Sequence, residues 1–451
     1  MELASLLAKY DRRIPRYTSY PTAPHFSEAV TSDTYAGWLA DLPGAEAVSL
    51  YLHVPFCAAL CLFCACHTTV ARNPAPLIAY GETLSAEIDH VADAIGARRL
   101  PVRHVHWGGG TPTILPPPVM EAVMRRLRER FDILPDAEIA FEVDPRTLTP
   151  EAADTLARIG TTRASLGVQD FDPAVQQAIN RHQGLGQTAR CAETLRAVGI
   201  RSINLDLIYG LPRQTVSGVI ETVERALTIA PDRAAVFGYA HVPWMKKHQS
   251  LLPENALPGA EERFAQRQAV EDTLTAAGYR AVGLDHFALP SDSLALAAAA
   301  SALRRNFQGY TTDDAPTLLG FGASSIGALQ AGYVQNLPSV PAWRDAVRNG
   351  SLPIARGVTL TGQDRLRRDV IEQVMCCMEV NLRAVAASHG APLASLMDAA
   401  PALQELAADG LAEWDGSRLR MTAAGRPFVR AAAAAFDTYL RAGAARHSAA
   451  I

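Results

Sequence analysis

Residues 53–67 read HVPFCAALCLFCACH, with Cys57, Cys61 and Cys64 in a C-x3-C-x2-C pattern. The loop directly follows AVSLYLHVP, residues 47–55, an apolar run that reads as a β-strand. Three thiolates on one short loop suit an iron-sulfur cluster. Sulfur is a soft, charged donor that terminates one iron per cysteine, so three cysteines leave one iron of a 4Fe-4S cluster open. The structural alternative is zinc, which wants four closed ligands that Cys66 or His67 would complete.

Outward from this loop the pattern repeats as a short apolar run, a turn and a longer amphipathic stretch. The runs are 47–55, VRHVHW (102–107), AEIAFEV (137–143), RASLGV (163–168), SINLDLIYG (202–210) and RAAVFGYAHVP (233–243). Between them, segments such as LIAYGETLSAEIDHVADAIGA space apolar residues three and four apart, as helices covering a sheet do. Strand, helix, strand order predicts an α/β fold with a parallel sheet or barrel whose ligands gather at the C-terminal strand ends. Residues 1–45 contain PRYTSYPTAPHF, whose prolines and aromatics argue against regular helix and suggest an arm lying on another surface. Residues 251–350 are less regular, with GYRAVGLDHFALP reading as one further strand and loop. From about residue 356 to 451, helical stretches precede a hairpin around Asp415-Gly416 and a terminal helix, which predicts a small winged-helix-like α+β domain.

At 451 residues the chain exceeds one ordinary hydrophobic core, so a large domain (46–355) and a smaller one (356–451) are expected. Seven cysteines, four of them within residues 57–66, do not resemble a secreted disulfide scaffold and point to metal or redox chemistry. No apolar run is long enough to span a bilayer, and the N-terminus lacks the marks of a leader, so a soluble cytoplasmic protein is expected. A net charge of -4 gives no global attraction to nucleic acid or membrane, and neither is expected as a partner. DNA binding through the wing would need a concentrated basic face, whereas this segment mixes acids and bases.

Two more features fall at strand ends. Gly108-Gly109-Gly110, within Trp107–Pro112, lets a ligand approach bare backbone, although a tight turn alone would also use glycine. Glu142 in FEVDP is placed to accept from ribose hydroxyls.

The cysteine pattern after strand one resembles that of the radical S-adenosylmethionine (SAM) superfamily. Nearly end to end the chain also resembles one family within it, the oxygen-independent coproporphyrinogen III oxidases. The resemblance rests on PRYTSYPTA (15–23), YLHVPFC (51–57), HWGGGTPT (106–113), EVDPR (142–146), LGVQDF (166–171), NLDLIYGLP (204–212), YAHVP (239–243), RNFQGYTT (305–312) and FDTYLR (436–441). It implies a partial (β/α)6 barrel, one 4Fe-4S cluster on Cys57, Cys61 and Cys64 with SAM on the open iron, and SAM-derived 5'-deoxyadenosyl radicals. The implied reaction is decarboxylation of two propionates of coproporphyrinogen III to vinyl groups, giving protoporphyrinogen IX in haem biosynthesis. An electron donor such as flavodoxin or ferredoxin, an unidentified electron acceptor and a monomeric state are implied with it.

The resemblance implies two SAM molecules. Tyr51, Gly109, Glu142 and Ile326 would contact the first; Phe63, Gly110, Thr111, Gln169, Arg181, Asp206 and Ala240 the second. Cys66 is the implied catalytic residue beyond the triad, against the plain reading of a small buried hydrophobe. A related haem chaperone, which keeps the fold but transfers haem, is the alternative; Cys66 and the arm favour the oxidase. For the four propionates a positive pocket is expected, with Arg12, Arg13, Arg16, Arg304 and Arg305 as candidates and Tyr17, Tyr20 and Tyr310 against the macrocycle. Two stretches depart from the family pattern: His182 stands where an acid is expected, and YAHVP runs on into WMKKHQ. Both are expected to stand clear of the cluster and SAM contacts. Cys191, Cys376 and Cys377 sit in helical patterns and read as core.

Overall fold

The structure is a computed structural model that describes residues 2–442; the ends of the expected arm and C-terminal domain, Met1 and 443–451, lie outside the described residues. Six parallel strands form its centre: β1 (Val48–Val54), β2 (Pro101–Gly109), β3 (Asp132–Val143), β4 (Arg163–Gln169), β5 (Ser202–Tyr209) and β6 (Arg233–Gly238). They pair in sequence order, each connected through helix. This is the expected partial barrel.

Side-chain alternation explains why the sheet curves around a polar centre. On β3, Ile139 and Phe141 are buried in the main core, while Glu138 and Glu142 line the lumen. Likewise Ile203 and Leu205 of β5 enter the core while Asn204 and Asp206 face inward. A period of two thus sorts helix-facing apolar residues from lumen-facing polar ones. The longest covering helix, α1 (Pro74–Ile95), opens with proline in its first turn and stops at Gly96, whose φ of 90° suits glycine.

The sheet extends beyond the expected strands. Thr317–Phe321 pairs parallel to β1, and Ile326–Ala328, Gly332–Asn336 and Ile354–Thr359 follow antiparallel. At the other edge, GYRAVGLDHFALP forms two short strands: His286–Ala288 pairs antiparallel with β6, and Arg280–Val282 pairs antiparallel with His286–Ala288 at the outer edge. The single expected strand is therefore broken in two, with Gly283 (φ 58°) at the turn.

The helix Gly362–Cys377 begins with a Thr361–Asp364 capping box and leads into a three-stranded antiparallel sheet with a tight turn at Gly416, as a winged-helix-like domain requires. The expected division at residue 355 falls inside the strand Ile354–Thr359; we propose to place it at Leu360. The arm divides too. Leu7, Tyr10, Ile14, Tyr17 and Tyr20 join the hydrophobic core of the C-terminal domain, whereas Tyr35 and Leu39 join that of the barrel. Tyr17 and Tyr20 are thus core residues, the phenol of Tyr17 donating to Asp437 at 3.0 Å. Burial of both rings removes them as macrocycle platforms.

Candidate functional site

The cysteine loop leaves β1 at the C-terminal mouth of the barrel and is tied down mainly through its backbone. Phe56–Cys57 pairs with Thr69–Val70, Leu62 N donates to Ile179 O at 2.9 Å, and Asn180 donates to Leu60 O at 2.9 Å. The WMKKHQ stretch clasps it from the other side: Lys246 Nζ donates to Cys66 O (2.9 Å), His248 Nε2 lies 2.7 Å from Cys64 O, and Gln249 Nε2 donates to Phe63 O (2.8 Å). The expectation that this stretch stands clear of the cluster and SAM contacts is therefore corrected at Cys64 and Phe63; its side chains reach carbonyls that a tight loop leaves unpaired. His182, the other departure, is exposed.

Cys57, Cys61, Cys64 and Cys66 line one cavity of about 740 Å³, together with Phe63, Gly109, Gly110, Thr111, Glu142, Gln169, Arg181 and Asp206. The geometry brings these predicted residues together from five strand ends. Three stand apart. Tyr51 hydrogen-bonds His53 (2.9 Å) and stacks on His106, itself 3.2 Å from Glu142. Ala240 is linked through Gln249, which donates to both Ala240 O (3.2 Å) and Phe63 O. Ile326 packs beside the Phe26–Tyr333 cluster, against Gly320, the register partner of Tyr51.

Positive and hydroxyl groups converge on the sulfurs. Thr68 Oγ1 donates to Cys57 Sγ at 3.1 Å and Thr111 Oγ1 at 3.5 Å; Arg181 and Arg146 stand 3.5 and 3.7 Å from Cys61 Sγ. Donors aimed at sulfur suit thiolates, which carry the charge of a cluster site. A Cβ on Gly110 would come within 2.6 Å of Phe56 O and 3.0 Å of Cys57 Sγ, so only glycine lets the loop lie this close. Three thiols on one loop, ringed by hydroxyl and guanidinium donors, are a donor set that fits the cluster implied by the cysteine pattern.

Opposite the cysteines, Glu142 accepts from the Gly109 amide (3.0 Å) and from His106. Burial opposes its ionisation, but the His106 and Gly109 contacts outweigh burial and hold the carboxyl below its ordinary value. Asp206 accepts from Ser165 and Asn204, both at 2.8 Å, yet burial wins there and pushes its carboxyl up. Gln169 takes a left-handed φ of 72° at an irregularity in the β4–β5 register, a cost that turns its side chain into the cavity. The Asp144 carboxylate, 2.7 Å from Arg146 and 3.4 Å from Arg181, holds both guanidiniums by the sulfurs. Sequence reading missed Asp144 and Arg146 although both lie in the EVDPR motif.

Of the other anticipated basic residues, Arg13 packs over Trp244 and Arg304 faces Glu372; Arg16 and Arg305 line a separate cavity. Tyr310 lines the lumen, its hydroxyl donating to Met375 O at 2.8 Å. All seven cysteines are free, and no helix among the described residues is long and apolar enough to cross a membrane.

Comparison with known proteins agrees with this geometry. Residues 51–226 match the model of the radical SAM superfamily and residues 360–428 that of the HemN C-terminal domain. The chain is 50% identical over 449 residues to the oxygen-independent coproporphyrinogen III oxidase of Bradyrhizobium diazoefficiens, covering 99% of this chain and 100% of the relative. It is 43% identical to that of Paracoccus denitrificans, covering 99% and 98%. The solved coproporphyrinogen III oxidase (HemN) of Escherichia coli, described as a radical SAM enzyme, superposes with a TM-score of 0.89 at 37% identity, covering 95% of this chain and 100% of that one. A relative of this identity, matched along nearly its whole length, shows the family: the chain belongs to the radical SAM superfamily and, within it, to the oxygen-independent coproporphyrinogen III oxidases.

Proposed function

We propose that this chain converts two propionates of coproporphyrinogen III to vinyl groups without dioxygen, giving protoporphyrinogen IX. The observation that carries the reading is the single cavity in which Cys57, Cys61 and Cys64 meet Glu142, Gln169, Arg181 and Asp206, in a chain half identical to a named oxidase. When bound, the 4Fe-4S cluster and SAM supply one-electron chemistry that removes a hydrogen atom from an unactivated carbon, which no side-chain acid or base achieves. Each propionate then gives up one hydrogen atom, carbon dioxide and one electron, so an external acceptor completes the balance.

The protein's own residues bind and orient. Cys57, Cys61 and Cys64 hold the cluster, with the Thr68 hydroxyl and the Arg146 and Arg181 guanidiniums steadying the thiolates. Glu142 and Asp206 offer carboxylate oxygens to hydroxyl groups, Gly109 and Gly110 leave room for a ligand against the backbone, and Arg181 can pair with a carboxylate. We assign one SAM to Glu142, Gly109, Tyr51 and Ile326, and a second to Phe63, Gly110, Thr111, Gln169, Arg181, Asp206 and Ala240. Cys66, on the cavity wall two residues beyond the triad, is the residue we assign to act on the bound reactants. A flavodoxin or ferredoxin would supply the electron, and we take the working form to be a cytoplasmic monomer.

The test is anaerobic reconstitution with iron and sulfide, followed by measurement of 5'-deoxyadenosine in the presence of reductant. Release that depends on coproporphyrinogen III, together with vinyl porphyrinogen, is expected. Stable haem binding without vinyl product would overturn the reading in favour of the chaperone.

A further inference from the structure

A second cavity lies on the outer face of the barrel. On β6, Ala235 and Phe237 line the lumen, whereas Val236 and Gly238 line this other space, joined by Tyr209 from the outer face of β5. With its mouth included it measures about 600 Å³. Arg16 of the arm, Arg263 and Arg267 of the helix Ala260–Ala276, Arg305 of the short strand Arg304–Asn306, and Arg430 of the C-terminal domain all line it. Among the described residues its lining holds one carboxylate, Asp285.

At Arg16 and Arg305 much of that charge meets neutral groups. Arg267 has its own acid, Glu271, at 2.9 Å. Arg16 donates to Gly238 O (2.8 Å) and Arg305 to Arg16 O (3.2 Å), neutral carbonyls that satisfy N–H groups without cancelling charge. Arg263 Nε, Arg305 Nε and Arg305 Nη1 are buried with no acceptor. Burial, together with the charges of Arg16 and Arg305, pushes the Arg430 guanidinium down to about 9. Asp285 responds in the opposite sense: burial opposes its ionisation, but His286, Arg305 and Arg16 hold its carboxyl down at about 2. Several buried guanidiniums sharing one carboxylate are costly, and planar N–H forks match oxyanions in geometry.

We infer that this cavity is a binding site for a small oxyanion, a carboxylate or a phosphate, gripped by Arg16, Arg263 and Arg305 with Arg430 behind them. Its ligand would join the arm, the barrel and the C-terminal domain, since each contributes a guanidinium. The strands β6 and His286–Ala288 stand between it and the lumen, which makes it a site additional to the reaction cavity. The oxyanion has two candidate sources, free phosphate and a propionate reaching in from the tetrapyrrole.

The holoenzyme and its Arg263→Gln and Arg305→Gln variants are titrated with inorganic phosphate against chloride at equal ionic strength, following thermal unfolding and 31P line width. Phosphate is expected to raise the wild-type Tm saturably, with apparent affinity about tenfold or more weaker in each variant. In chloride, Arg263→Gln is expected to be no less stable than wild type, because it removes an uncompensated charge; Arg263→Lys controls for fold. KM for coproporphyrinogen III then distinguishes the sources. A raised KM in Arg263→Gln with kcat kept assigns the site to a propionate, and an unchanged KM assigns it to a free anion. The inference is overturned if wild type and variants respond to phosphate alike and share the same KM. Loss of all turnover in wild type would instead count against the assigned reaction.

Discussion

The Arg181 guanidinium stands 3.5 Å from the Cys61 sulfur, held there by Asp144 at 3.4 Å and by Gly167 O at 2.7 Å. One arginine therefore spans the cysteine loop, the end of β3 and the end of β4. Arg181→Lys keeps the charge and loses the fork that makes these contacts simultaneous. Iron content after reconstitution should stay near that of wild type while 5'-deoxyadenosine release falls about 10–100-fold, the range seen when supports of a metal site are removed. Parallel iron and turnover assays on one preparation check this.

Thr68→Val tests the hydroxyl that donates to Cys57 Sγ at 3.1 Å. A hydrogen bond to a cluster thiolate stabilises the more negative, reduced state, so its removal should lower the reduction potential, by some tens of millivolts as an order of magnitude. An EPR-monitored redox titration reads the shift directly. An unchanged potential would mean that Thr68 does not donate to a cluster ligand.

Gln249 is fully buried and joins three backbone groups, accepting from Val242 N at 2.6 Å and donating to Phe63 O and Ala240 O. Gln249→Ala strands all three, at a cost of about 2–4 kcal/mol from unpaired buried polar groups. Denaturant unfolding should show that loss, and hydrogen exchange should quicken across residues 57–68. Faster bleaching of the reconstituted cluster in air is expected with it.

Glu87 gives the fold a pH dependence remote from the cysteines. Buried on α1, it accepts from Gly322 N (2.7 Å), Asn336 (2.5 Å) and Trp343 (3.1 Å), and burial outweighs those bonds to push its carboxyl up to about 7. The folded state thus holds a proton that the unfolded chain releases above its ordinary value of 4.5. Stability should fall as pH rises from about 4.5 to 7 and level off above, by about 3 kcal/mol in total. Glu87→Gln should flatten this slope, as urea unfolding at several pH values would show.

How much of this was legible beforehand follows from where information sits along the chain. The six barrel strands could be read because each is a run of alternating or continuous apolar residues flanked by turns, and the cysteine spacing lies within eight residues. The strand Thr317–Phe321 is equally apolar, but it pairs with β1 across more than 250 residues, and no local pattern announces such a partner. The Lys246, His248 and Gln249 clasp was invisible for the same reason: its acceptors are backbone carbonyls, which every residue possesses. Tyr17 and Tyr20 misled because an aromatic near an arginine reads alike whether it faces a ligand or a core.

The shared core of the arm and the C-terminal domain also sets an order of events during translation. Leu7, Tyr10, Ile14, Tyr17 and Tyr20 leave the ribosome well over 300 residues before their partners, from Leu366 to Phe436. At elongation speeds of roughly 5–20 residues per second, the arm waits on the order of half a minute with its apolar side chains unpaired. A nascent chain of this protein therefore carries a sticky segment through most of its synthesis, a natural foothold for a chaperone and a natural point of failure without one.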